Sequence, residues 1–211
     1  MTRCNRVTPF GEIVADPARG AMLGNRGVLH DADGRIRRPW STTRWICCRL
    51  QFKGRWRQVM TPNRWTHLFF LDEAVAIAAG HRPCAECRRE AYNVWRAAWA
   101  RAQDLAALPS AEAMDRVLHP ARIDPATRRQ RIVSHPIATL PDASMVALPD
   151  DPDGAWLVLG GTLRRWDMAG YGAARPRPAS GRVALLTPLP SVAVLAAGYR
   201  PELHPSLRTA P

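Results

Sequence analysis

Cys84 and Cys87, in the run Gly80-His-Arg-Pro-Cys-Ala-Glu-Cys87, are the residues whose types and spacing speak most directly of chemistry. Two cysteines separated by two residues can turn both sulfurs toward one point, and thiolates are soft ligands suited to zinc. Redox dithiols of the thioredoxin kind share this spacing, but there the motif follows a strand and opens a helix within a βαβ unit. Here the pattern puts a helix ahead of the motif and Arg82-Pro83 at its entrance, which weighs against redox chemistry. The blandest alternative is a pair of buried free thiols. The upstream pair Cys47-Cys48 weighs against that, because it offers further ligands. Zinc is the expected cofactor.

A resemblance adds to this. The segment 76–88, with Ala-Ala-Gly-His-Arg-Pro-Cys-Ala-Glu-Cys-Arg, resembles the metal-binding domain of Ada-type DNA alkylation-repair proteins, which reads Ala-Gly-(aromatic)-Arg-Pro-Cys-x-x-Cys there. Upstream, Ile46-Cys47-Cys48-Arg49 followed by Arg55 is similar to the family's Ile-Tyr-Cys-Arg-Pro-x-Cys-x-x-Arg, and Phe69-Phe70 fits as well. The likeness spans residues 45–88 alone. It implies that Cys48 stands at the methyl-accepting zinc thiolate and that Cys84 and Cys87 form the downstream ligand pair. The family's remaining cysteine would fall at Phe52, which cannot ligate, and the gap between Cys48 and Cys84 is longer than in the family. The fourth ligand is then sought among His30, Cys47, Cys4 and His67. Cys47 is adjacent to Cys48, and in an extended segment the two point to opposite faces. The expected metal set is therefore Cys48, Cys84, Cys87 and His30. Methyl transfer needs an electron-rich, all-thiolate zinc. A histidine or water in the set lowers that reactivity, so the resemblance implies a zinc fold and a DNA-associated lineage more than the chemistry itself.

Pro83-Cys84-Ala-Glu-Cys87 also satisfies half of the zinc deaminase pattern. That chemistry takes a histidine two places ahead of a glutamate, and none of the six histidines is so placed. His30-Asp31 could be a base oriented by a carboxylate, but Asp31-Ala-Asp-Gly34 is good turn chemistry, and the turn is the stronger expectation. Glu86, between the two cysteines, could assist an open zinc site; a solvated side chain is the commoner outcome.

Net charge is +12, carried almost wholly by arginine, with Lys53 the only lysine. Such a surplus attracts polyanions. The tryptophans at 40, 45, 56 and 65 lie among Arg44, Arg49, Arg55, Arg57 and Arg64, a mixture able to stack bases and hold phosphates. With Arg88 and Arg89 these arginines make the expected nucleic-acid surface, DNA before RNA, although some of the tryptophans should fill a core. No apolar run of the ~7–15 residues of a signal peptide follows Met1, and no stretch approaches the ~20 residues of a membrane span. A cytoplasmic protein without membrane contact is expected, which suits free thiols or a metal better than disulfides.

The elements that must position these residues follow from periodicity and breakers. Residues 44–50, 52–60 and 66–71 look extended, with a turn at Lys53-Gly54. Asp72-Glu73 opens a helix that Gly80 closes. A longer helix is expected from Cys84 or Ala85 to about residue 107, on Tyr92, Trp95, Trp99 and Ala102, and a third from Ser110 to Leu118. A polar, basic stretch at 119–131 reads as a linker. Strands are expected at 132–140, 145–148, 155–159, 162–166 and 183–187, with Gly160-Gly161 as a hairpin turn and a last helix between Ser191 and Gly198. The predicted fold is α+β: a small zinc-bearing module at 1–118, then a small β-rich module at 132–205. The leading function is a zinc-containing nucleic-acid-binding protein in DNA repair or regulation, with a mainly structural zinc. The alternatives are an enzyme acting on alkylated or modified nucleic acid, through Cys48 or an open zinc site, and a protein-interaction module with incidental charge.

Overall fold

A computed structural model describes residues 2–55 and 58–209 of the chain. In chain order it runs β1 (Cys4–Val7), β2 (Ile13–Ala15), β3 (Met22–Asn25), β4 (Ile46–Arg49), β5 (Leu68–Phe70), α1 (Glu73–Ala78), β6 (Arg82–Pro83), α2 (Arg89–Ala102) and α3 (Ala111–Arg122). There follow β7 (Val133–Pro136), β8 (Met145–Leu148), β9 (Asp151–Leu159), β10 (Thr162–Asp167), β11 (Gly170–Pro176), β12 (Arg182–Leu185), α4 (Leu189–Ala196) and α5 (Ser206–Thr209).

The strands form two six-stranded sheets, ordered β2-β1-β5-β3-β4-β6 and β11-β10-β9-β8-β12-β7. This corrects the expected small α+β module followed by a β-rich one. The chain is sheet-rich throughout, with a full sheet in its first half. Strands of three or four residues, broken by glycines and polar residues, leave too little alternation to read as strands. One buried cluster draws on both sheets, with Val7, Leu68 and Phe70 from the first meeting Met145 and Leu157 from the second. A second cluster lies against β8, β9 and β12. Among the described residues no helix is long and apolar enough to cross a membrane.

Several boundaries shift for local reasons. The long helix begins at Arg89 because the Cys84–Cys87 segment is a tight turn, and the third runs on to Arg122 with Pro120 inside it. The last helix starts at Leu189, with Pro188 at its N-cap, so Ser191 is an interior residue. Strand β11 occupies a stretch expected to be loop. Gly160-Gly161 does join β9 to β10, whose register pairs Leu159 with Thr162, and Gly160 takes a φ of +57.

Helix α1 is buried along its whole length and anchors the polar interior. Asp72 caps it by accepting the Val75 N–H, and it also accepts from the Tyr171 hydroxyl and the His204 N–H. Glu73 meets Arg88 through two bonds of 2.5 and 2.7 Å, and also accepts from the Tyr199 hydroxyl and the Glu202 N–H. Both side chains of the Glu73–Arg88 pair are 1% exposed. A buried ion pair of this kind is strongly destabilising when one partner is removed, since the other charge is stranded in a low dielectric. Glu73→Ala is therefore expected to cost about 3–5 kcal/mol, read as a lower denaturation midpoint in guanidinium, whereas substitutions at the exposed Arg89 should move the midpoint little.

Candidate metal centre

The three cysteines come together because β4 and β6 run side by side in parallel. Ile46 pairs with Arg82 and Cys47 with Pro83, and the Cys84 N–H donates to the Cys47 carbonyl at 2.9 Å. That bond sets the Cys84–Cys87 turn beside the next residue of β4, Cys48. The thiol sulfurs of Cys48, Cys84 and Cys87 all lie within 4.8 Å of one another. Zinc at about 2.3 Å from each sulfur, in tetrahedral array, implies sulfur–sulfur distances of about 3.8 Å. Sulfurs within 4.8 Å of one another are close enough for that arrangement, and the donors are all soft, so the residues present fit a thiophilic divalent ion.

The turn also supplies hydrogen bonds to sulfur. The Glu86 N–H donates to Cys84 Sγ at 3.4 Å, and the Arg49 N–H is directed at Cys87. The Cys84 thiol is pulled far below its usual value by bonds donated from the Cys48 and Cys87 thiols, and then by the backbone N–H groups of Cys87 and Glu86. Cys48 is pushed up correspondingly, since it is a donor to both neighbours. Negative charge is thus favoured on one sulfur, that of Cys84, while the Cys87 thiol, like that of Cys48, is pushed up.

The remaining cysteines go elsewhere. Cys47 faces away from Cys48 into the core, where burial pushes its thiol up and Arg88 Nη1 lies 3.7 Å from its sulfur. Cys4, in β1, donates to the Ile13 carbonyl. His30, expected as the fourth ligand, is not brought to the sulfurs. Its Nδ1 is 2.6 Å from Thr66 Oγ1 and its Nε2 is 3.2 Å from the Thr61 carbonyl, so both ring nitrogens serve the loop packing. Its neighbour Asp31 accepts from the Asp33 and Arg35 N–H groups and pairs with Arg37, which is a turn. Among the described residues, the metal-competent group has three members.

These sulfurs form part of the wall of a cavity of about 280 Å³. Phe52, Trp65 and His67 also line it, with Arg49 and Arg55. The His67 ring stacks on Trp65 at 4.1 Å, and its Nδ1 accepts the Met60 N–H. Phe52 carries cation–π contacts from Lys53 and Arg55. Glu86 is paired with Arg55 at 2.7 Å, a partner that sequence spacing could not reveal.

The expected nucleic-acid arginines divide. Arg44, Arg49, Arg55, Arg64 and Arg89 are exposed. Arg88 is 2% exposed and neutralised by Glu73, so it is a core residue and not a surface contact. Arg57 and Trp56 fall outside the described residues. Trp45 is buried between the guanidinium groups of Arg26 and Arg122, 4.2 and 4.1 Å from its ring centre, and cannot stack on a base. In the second half, Arg165 and Arg175 are paired with Asp151 and Asp150, and Arg177 is spent on the Ile137 and Leu140 carbonyls.

Comparison with family models, curated proteins and solved structures returns no match for this chain. The site must be judged on its own geometry. Metal analysis of the purified chain should find a stoichiometric thiophilic ion that Cys84→Ala and Cys87→Ala lose, while Cys4→Ala and Cys47→Ala keep it.

Proposed function

We propose that the chain is a zinc-containing nucleic-acid-binding protein in which Cys48, Cys84 and Cys87 hold the ion beside a basic, aromatic cavity that receives part of a nucleic-acid strand. The observation that carries this is the sharing of one cavity by three sulfurs, two aromatic rings and two exposed arginines. Aromatic faces stack on any base, and arginines hold the flanking phosphates. A zinc ion held by Cys48, Cys84 and Cys87 would cross-link β4 to the turn after β6 and would supply Lewis acidity at the cavity. DNA is favoured over RNA only by the resemblance of residues 45–88 to the Ada-type module, which also motivates a role in repair or regulation.

The same observation favours a second reading, an enzyme acting on modified nucleic acid. Structural zinc sites are closed by four protein ligands, whereas catalytic ones keep a position open to substrate. Three thiols bordering a cavity match the second arrangement. The two readings separate on replacement of zinc by cobalt. An open position predicts that added cyanide changes the cobalt absorption bands, and a closed one predicts no change.

Nucleic-acid binding is tested by salt. Phosphate contacts make log affinity fall linearly with log salt, by about 0.9 per contact on duplex DNA and about 0.7 on single strands. For a labelled single-stranded oligonucleotide, Arg49→Ala combined with Arg55→Ala should weaken binding and flatten that slope by about 1 or more. An unchanged slope sinks the proposal, as does retention of full affinity after zinc is removed by chelation.

A further inference from the structure

A second cavity lies apart from the one at the cysteines. It measures about 700 Å³, and none of its lining residues belongs to the cysteine cavity. Five arginines line it, Arg26, Arg37, Arg38, Arg128 and Arg129, against one acidic side chain, Glu12. Apolar side chains also line it, among them Phe10, Ile13, Ile36, Ile123 and Ile132.

Most of the arginine charge in this cleft has no carboxylate partner among the described residues. Of the five arginines, Arg37 pairs with a carboxylate, that of Asp31. Among the described residues the other four have no ion pair with a carboxylate. Arg26 is 2% exposed, and its guanidinium donates to the Gly11 and Ala79 carbonyls and to His81 Nε2, which bear no net charge. Burial pushes Arg26 down to about 9, which leaves it cationic at neutral pH. Behind it His81 is held neutral by burial and by the charges of Arg26 and Arg122. A fixed positive charge therefore sits in the wall of a cleft whose rim carries more. Burying a cation without a counter-ion is costly, and an anion drawn from solution would relieve it.

The frame around the charge is firm. Gln130 sends its amide to the carbonyls of Pro9, Ala78 and Leu186, which ties the floor together. Ahead of it, Asp124 holds a turn by accepting from the Ala126 and Thr127 N–H groups, and Arg128 takes a left-handed φ of 57. This bend puts the consecutive arginines 128 and 129 into the lining. The Arg128 guanidinium lies over the Trp40 ring at 4.9 Å, which limits its freedom.

We propose that this cleft binds a phosphate monoester with an apolar or planar body, of mononucleotide size, its phosphoryl group held by Arg38 and Arg129 near the buried Arg26 and its body laid on the apolar wall. Arginine suits that task through its planar set of donors, which engages phosphate oxygens in pairs. The cavity is also of the size of ordinary small-ligand sites. The same chemistry can come from a free nucleotide or from the phosphorylated end of a nucleic-acid strand.

The test is calorimetric titration of the full, zinc-loaded chain with 5′-AMP, with adenosine, and with 5′-AMP in the presence of a 5′-phosphorylated oligonucleotide. Saturable binding of 5′-AMP is expected, with adenosine weaker by about tenfold or more, since a charge-assisted bond carries about that factor. The double variant Arg38→Ala, Arg129→Ala, altered at exposed positions, should lose at least about tenfold of the 5′-AMP affinity. Arg55→Ala, at the cysteine cavity, should leave it unchanged. If the oligonucleotide displaces 5′-AMP and its own binding weakens in the double variant, the ligand is a strand end. If it binds without displacing 5′-AMP, the ligand is a free nucleotide. Absence of 5′-AMP binding overturns the proposal, as does equal binding of adenosine or an undiminished affinity in the double variant. None of those failures touches the cysteine site, whose readout is metal content.

Discussion

The parallel pairing of residues 46–47 with 82–83 is the constraint on which the candidate site depends. It is only two residues long, yet it joins segments more than thirty residues apart and sets which sulfurs can meet. Because side chains alternate along a strand, fixing Cys47 against Pro83 sends Cys47 into the core and turns Cys48 toward the Cys84–Cys87 turn. So short a pairing cannot be held by its own hydrogen bonds. It is held by what packs beneath it. Buried helix α1 leads directly into β6, and the Arg82–Asp115 pair, with both side chains 3% exposed, clamps β6 to helix α3. A metal bound by Cys48, Cys84 and Cys87 would close the same junction from the outer face, so metal binding and local folding are coupled there in the sense of structural zinc sites.

How much of this was legible in the sequence differs by element. The cysteine cluster was, because the C-x-x-C spacing and the adjacent pair at 47–48 are local facts; strand alternation lets only one of that pair reach the site, and the likeness to the Ada-type module pointed to Cys48. Helix α1 was, because Asp72 and Gly80 mark its ends. The N-terminal sheet was only in part: β4 and β5 fall within the stretches 44–50 and 66–71 expected to be extended. Its strands are two to four residues long, and β1 pairs in parallel with β5 across more than sixty residues, a pairing that leaves no periodic trace. His30 looked like a ligand because its type and position allowed it, and only the fold reveals that Thr66 and Thr61 occupy both of its nitrogens. Arg88 looked like a surface charge because it stands beside Arg89, and its carboxylate partner lies fifteen residues away on another element.

The arginines show the same lesson at the scale of the whole chain. Composition presents them as one positive surplus, and the fold sorts them by environment. Arg82 and Arg88 are buried with carboxylates and contribute no external field. Arg26 and Arg122 are buried without them, sandwiching Trp45 and serving backbone carbonyls, and burial pushes both down to about 9. A third set stays exposed, part of it lining the two cavities. Only this last set can supply a salt-dependent attraction for polyanions, so net charge overstates the electrostatic footprint.

Burial without a counter-ion is nonetheless what gives the Arg26 region its character. Two cations flanking one indole, with a neutral histidine behind them, raise the local potential in a place where water screens poorly. The fold tolerates this because each guanidinium is satisfied by carbonyl dipoles: Gly11 and Ala79 for Arg26, Gly80 and Thr43 for Arg122. Dipoles meet the hydrogen-bonding demand of a buried ion without cancelling its charge. A carboxylate at the same place would have done both and removed this buried charge from the field in the cleft. The choice of carbonyls over carboxylates thus keeps a field directed into the cleft, while at β6 and α1 the opposite choice confines the charge to the interior.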